Sequence, residues 1–190
     1  MASGQKAKSG VVIVWPKLLG WLFGGEGVRE EVATRVYFGA SPEVAWDRIL
    51  FYEEVPGRAP FPLRAFMPSP VHTEGAKDSV GSRVRCVYNR GYLIKRITMV
   101  NRPRRIRFEV TEQRLGIEGC VVALGGSYEI EPSGEGSEFT LTTRCMAHLH
   151  PRALWRPLEQ LVAGQLHRHV LKGMGAAVMQ TPEAVASSTG

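Results

Sequence analysis

Between Arg83 and Leu149 the chain runs as strand-length stretches that alternate apolar and polar residues, each closed by a short turn. Arg83 to Tyr88 leads into Asn89-Arg90-Gly91, where Asn and Gly are expected to supply positive φ, and Tyr92 to Val100 returns. Asn101-Arg102-Pro103-Arg104 turns the chain again. Ile106, Phe108 and Val110 then alternate with Arg105, Arg107 and Glu109, and Gly116 to Gly119 breaks the run. Cys120 to Ile130 and Glu138 to Leu149 form a last pair, joined across Glu131 to Ser137. Strands that follow one another through such short connections pair with their sequence neighbours, so an antiparallel meander is predicted.

The flanks supply helices. Glu31 to Phe38 reads as a strand with Val32, Thr34, Val36 and Phe38 on one side, and Ser41 then offers an N-cap with Pro42 at the first helical position. Ala45, Trp46, Ile49 and Leu50 would make the apolar stripe of a short helix ending before Pro56. From Pro56 to Gly81 five prolines forbid continuous helix or an interior strand, and the segment reads as a lid, a binding loop or a plain closure of the core. A long helix is expected to start at Pro151, or to bend or start later because of Pro157, with Leu154, Leu158, Leu161, Val162, Leu166, Val170 and Met174 at helical spacing and Trp155 widening the face. Residues 1–27 are expected to be an extension, 28–179 one α+β domain and 180–190 a disordered tail.

Composition fits a folded chain: 44% hydrophobic and 22% charged residues over 190 positions. The net charge of +6 would draw anions, but the arginines alternate with apolar residues, as in Ser82 to Val87, which reads as the solvated face of a sheet. They lack the aromatic interleaving of an RNA reader, so no nucleic-acid partner is expected. Cys86, Cys120 and Cys145 form no Cys-x-x-Cys pair and lie in apolar runs, which argues for buried thiols and a reducing, cytoplasmic setting. Val11 to Phe23 imitates a secretory leader, yet Pro16 and Lys17 interrupt it and its length falls short of the roughly 20 residues a bilayer span needs. Trp15, Leu18, Leu19 and Leu22 share a helical face, suited to a membrane surface, to the chain's own domain or to a second copy in a homodimer.

Ala40-Ser41-Pro42-Glu43-Val44-Ala45-Trp46-Asp47 resembles the first strand-to-helix junction of the START-like or SRPBCC superfamily, in its polyketide cyclase/dehydrase and lipid-transport branch. Asn101 to Phe108 resembles that family's turn into its middle strand, and Gly136 to Thr142 its penultimate turn and last strand. The likeness runs from about Val32 to Met179 and implies a helix-grip fold: a curved antiparallel sheet wrapped around a long C-terminal helix. It further implies a cavity between sheet and helix that takes a hydrophobic small molecule such as a lipid or polyketide; some members catalyse cyclisation or dehydration.

Strand alternation places Cys86, Tyr88, Phe108, Tyr128, Leu141, Thr143 and Cys145 on the helix-facing side, and the helical pattern sets Leu158, Val162, Leu166 and His169 against them. These are the candidate ligand contacts, though residues so placed are more often plain core. A one-residue slip would turn the strand set inside out. Gly125-Gly126-Ser127 lacks the spacing of a nucleophile elbow, and Gly24, Gly25 and Gly27 do not complete a dinucleotide fingerprint, so no cofactor is expected. His148 and His150 share a strand face without a third ligand, and His167 and His169 point in different directions, so no metal site is expected. An inward His169, or Tyr88 with Tyr128, could serve a cyclase, aromatase or dehydratase as acid, base or carbonyl anchor.

Overall fold

The computed structural model describes residues 26–50 and 67–179, with side chains described for 26–47 and 67–171. Strand β1 (Val28–Phe38) is followed by helix α1 (Pro42–Leu50) and strands β2 (Pro70–Glu74), β3 (Arg83–Tyr88), β4 (Gly91–Asn101), β5 (Arg105–Arg114), β6 (Val121–Ser133) and β7 (Gly136–Ala147). Helix α2 (Arg152–Met179) ends the described chain. All seven strands form one antiparallel sheet in the order β1-β7-β6-β5-β4-β3-β2. β2 to β7 is thus a meander of sequence neighbours, and β1 closes it by pairing with β7. This is the helix-grip architecture expected from the sequence.

Local chemistry explains the elements. Pro42 opens α1, Ser41 Oγ accepts from the Val44 N–H at 3.5 Å, and Ala45 N–H bonds the Ser41 carbonyl at 2.9 Å. The sheet bends where its ladder slips, between Ile94 and Lys95, between Ile97 and Met99, and between Ala123 and Gly125. At the last of these, a Cβ on Gly126 would meet the Thr142 carbonyl oxygen and the Phe108 ring, so only glycine allows β5 and β7 to approach β6 this closely. Beyond Glu109↔Gly125 the β5 and β6 backbones part, and the Gln113 side chain bridges them, donating to the Val121 carbonyl at 3.0 Å and accepting from the Ala123 N–H at 2.8 Å.

One expectation changes and one is met at the sheet edge. Asn89 has no positive φ; Gly91, at φ 135, carries that conformation alone in its turn. The Asn89 side chain instead accepts from the Ser69 N–H at 3.0 Å and its N–H donates to the Ser69 carbonyl at 2.9 Å, which ties the approach to β2 onto the hairpin. The proline-rich stretch does contain a strand, β2, but it starts on Pro70 and lies at the sheet edge, where a missing N–H does no harm. The remainder of that stretch, residues 51–66, lies outside the described residues, as do Val11 to Phe23 and the 180–190 tail. No described helix is long and apolar enough to cross a membrane.

The outer sheet face is ionic. Arg96 and Glu109 stand opposite each other across β4 and β5 and pair at 2.9 Å; Arg105 and Glu129 do the same across β5 and β6 at 3.1 Å. The arginines noted in the sequence are in part cross-strand partners of this kind, each worth little where solvent screens it.

Helix α2 is continuous through Pro157. Near its start, Arg152 bonds both oxygens of Glu159 at 2.9 and 2.6 Å, reaches Glu30 of β1 at 3.1 Å and donates to the Leu149 carbonyl at 3.2 Å. Arg156 adds a second contact to Glu30 at 3.3 Å. Further along, His167 and Leu171 are buried against the sheet side. The core runs through Phe38, Trp46, Ile97, Ile106, Phe108, Ile130, Phe139 and Leu171.

Candidate functional site

A row of aromatic rings crosses the inner face of the sheet. Phe38 on β1 lies 5.8 Å from Phe139 on β7, Phe139 lies 5.9 Å from Tyr128 on β6, and Tyr128 lies 5.4 Å from Phe108 on β5, measured between ring centroids. The row ends on a cation. Lys95 of β4 stands opposite Val84 of β3 and Val110 of β5, hence on the inner side with Leu93 and Ile97. Its Nζ lies 4.3 Å from the Phe108 centroid and 5.5 Å from that of Tyr128, and it donates to the Tyr128 hydroxyl at 3.1 Å. Among the described residues no carboxylate pairs with it.

Burial is the largest influence on Lys95 and works against its charge. Cys86, Tyr128 and Tyr88, with the hydrogen bond to Tyr128, act in the opposite sense and outweigh it, so the pKa is raised and the ammonium form persists. Tyr88 is pushed upward by burial first and by Cys86 next, with Lys95 opposing, so its phenol stays protonated across the physiological range. Its hydroxyl has no hydrogen-bond partner among the described residues. The inner face around Lys95 therefore presents two phenols and an ammonium, set among Cys86, Val84, Phe108 and Val110.

His167 ties this face to the helix. Nδ1 lies 3.1 Å from Thr34 Oγ1 on β1 and Nε2 lies 2.9 Å from Thr143 Oγ1 on β7. A neutral imidazole satisfies both, donating to one threonine and accepting from the other. Burial, and then the Lys95 charge, push its pKa down to about 4. Nearby on β7, burial pushes the Cys145 thiol up to about 11, reinforced by Glu159 and Glu30.

The register places all seven strand candidates, Cys86, Tyr88, Phe108, Tyr128, Leu141, Thr143 and Cys145, on the helix-facing side. Cys86, Phe108 and Leu141 are fully buried there, while Tyr88, Tyr128, Thr143 and Cys145 are half-buried. The helix candidates need correction. Leu158 is 47% exposed, so it does not face the sheet. At about 100° per residue, Leu158 and His169 fall half a turn from His167, the residue that touches β1 and β7. Val162 and Leu166 are half-buried on the flank between. Burial lowers the His169 pKa, and its Nε2 is buried without a hydrogen-bond partner among the described residues.

Lys95 and His167 are the two functional candidates that the sequence pattern did not single out. Lys95 could have been found from parity, because Leu93 and Ile97 flank it at two-residue spacing. His167 carries no such signal, since apolar residues occur all round α2.

Among the described residues no group of three or more His, Cys, Asp or Glu side chains is placed to hold a metal ion. No family model matches the chain. No curated protein sequence matches it. Solved structures do match its fold. A protein of Thermus thermophilus is 20% identical at a TM-score of 0.53, over 79% of this chain and 97% of its own. Truncated norcoclaurine synthase from Thalictrum flavum is 13% identical at 0.56, over 83% and 98%, and the same enzyme has been solved with dopamine and hydroxybenzaldehyde. The Aha1 dimer from Colwellia psychrerythraea is 12% identical at 0.51, over 80% and 99%. At such identity these neighbours establish the fold of this chain.

Proposed function

We propose that the helix-facing side of the sheet binds a small molecule with a hydrophobic body, held between β3 to β7 and α2. The observation that carries this reading is the composition of that side. Cys86, Phe108 and Leu141 supply apolar surface, whereas Tyr88, Lys95, Tyr128 and Thr143 are half-buried polar groups directed to the same side. A side built only for packing would be apolar, because each polar group placed inside must find a partner or weaken the fold. A few polar groups in apolar walls are the usual make-up of a small-molecule site. The fold agrees, since norcoclaurine synthase holds dopamine and hydroxybenzaldehyde on the same architecture. A lipid or a polyketide chain suits these walls.

Mass spectrometry of the purified protein under non-denaturing conditions tests the reading. A bound species of lipid or polyketide mass, released on denaturation, is the expected result. A bare mass, together with no stabilisation by any member of a hydrophobic ligand panel, counts against it.

A second reading rests on the Lys95–Tyr128 contact. An ammonium and a phenol 3.1 Å apart can together polarise a ligand carbonyl, with Tyr88 as a nearby proton donor. The protein would then act as a cyclase, aromatase or dehydratase on a polyketide-like chain. Turnover of a poly-β-ketone analogue that is lost in Tyr128→Phe would favour this reading over simple binding.

A further inference from the structure

We propose that Lys95 recognises a carboxylate, so that the ligand of the inner face is an amphiphilic monocarboxylic acid, a fatty or aromatic acid, with its head at Lys95 and its apolar body along the ring row. This rests on the binding reading above and specifies the ligand class for the same site.

The starting point is an imbalance of charge. An ammonium taken out of water keeps its stability only when anions or several good acceptors replace its hydration. Lys95 receives one hydroxyl, Tyr128 at 3.1 Å, and two ring faces, Phe108 at 4.3 Å and Tyr128 at 5.5 Å. Ring faces attract a cation but offer no lone pair in hydrogen-bonding geometry, so two of its three N–H donors have no acceptor among the described residues. Elsewhere in this chain buried or half-buried cations are handled differently: Arg152 has two carboxylates and a carbonyl. The contrast marks Lys95 as the cation whose counter-charge comes from outside the described protein.

The neighbours decide between ligand chemistries. Tyr88 keeps its phenol proton and Tyr128 brings a hydroxyl beside the ammonium, and a carboxylate has two oxygens to accept from the ammonium and from a phenol together. A phosphate, with more charge and more oxygens, would call for further cations or backbone N–H groups, and among the described residues Lys95 is the only Lys or Arg on the inner side of β3 to β6. Residues leading away from Lys95 along the row, Phe108, Tyr128 and Phe139, are rings in mutual contact. A charged head at β4 with an apolar body lying toward β7 matches that gradient.

The test uses the full chain and two matched pairs of probes, decanoate against decanol and naphthoate against naphthalenemethanol, titrated by calorimetry. Native protein should bind each acid roughly tenfold or more tighter than its alcohol, the size expected of a charge-assisted hydrogen bond. Lys95→Met should erase that preference while still binding the alcohols, and Lys95→Arg should retain it. The acid-over-alcohol ratio of the native protein needs no variant, so misfolding of Lys95→Met leaves the test intact. Equal affinity for acid and alcohol in native protein overturns the carboxylate assignment and leaves the binding reading standing, as does a preference that survives Lys95→Met. Failure of all four probes to bind native protein overturns both.

Discussion

His167 Nε2 stands 2.9 Å from Thr143 Oγ1, a hydrogen bond that joins the last helix to the last strand at a buried position. Since burial and Lys95 hold its pKa down at about 4, the folded ring stays neutral while the unfolded ring, with an ordinary value near 6.5, takes up a proton first as pH falls. His167 thus adds no penalty above about pH 6.5, and stability drains between there and pH 4, by roughly 3 kcal/mol in all. Urea denaturation of the native protein and of His167→Gln, which keeps one donor and one acceptor, should show the native curve falling faster over that window. Parallel curves would remove His167 as the cause.

Lys95→Met is expected to change the unfolding free energy of the free protein by less than about 1 kcal/mol, because the lost hydrogen bond and ring contacts of the ammonium are offset by relief from its burial. Thermal melting without ligand checks this. A drop of several degrees would mean that the ammonium serves the fold itself.

The phase of α2 can be tested by a pair of variants. Leu158→Ser changes an exposed side chain and should shift stability by less than about 0.5 kcal/mol. Leu171→Ala empties a site with 0% exposure and should cost roughly 2–4 kcal/mol. Chemical denaturation of both decides it; similar costs would contradict the rotation described here.

Arg152→Ala leaves Glu30 and Glu159 facing each other without their shared cation, at side-chain exposures of 13% and 22%. The expected cost is roughly 2–4 kcal/mol, since Glu159 loses its cation and Glu30 is left with Arg156 alone. Arg152→Ala combined with Glu159→Gln should recover part of it. No recovery in the double variant would locate the loss in packing instead of charge.

How far the sequence could be read follows from the same particulars. The strands are legible because their period is two: once Phe108 or Leu141 is assigned inward, residues two apart follow as far as the next slip in the ladder, and the candidate residues lie within such unbroken stretches. The helix was legible in extent and not in phase. Leu154, Leu158 and Leu161 are exposed, while the residues that dock α2 include, beside Leu171, Arg152, Glu159 and His167, whose polarity disguises them as surface. Polar docking across a partly apolar helix defeats a search for the most hydrophobic stripe. Lys95 escaped for the related reason that a lysine within a strand is read as outward unless the flanking Leu93 and Ile97 are counted against it.

Because β1 bonds, among the described strands, only to β7, the first of these strands to leave the ribosome has no partner among them until the whole meander has followed it. Val32, Val36 and Phe38 wait meanwhile with an open edge, the arrangement most prone to pairing with the wrong chain. The strands from β2 onward can assemble hairpin by hairpin as they emerge, but the sheet is completed in one late, long-range step. Slow elongation through β7 should accordingly lengthen the period in which nascent chains are vulnerable to aggregation.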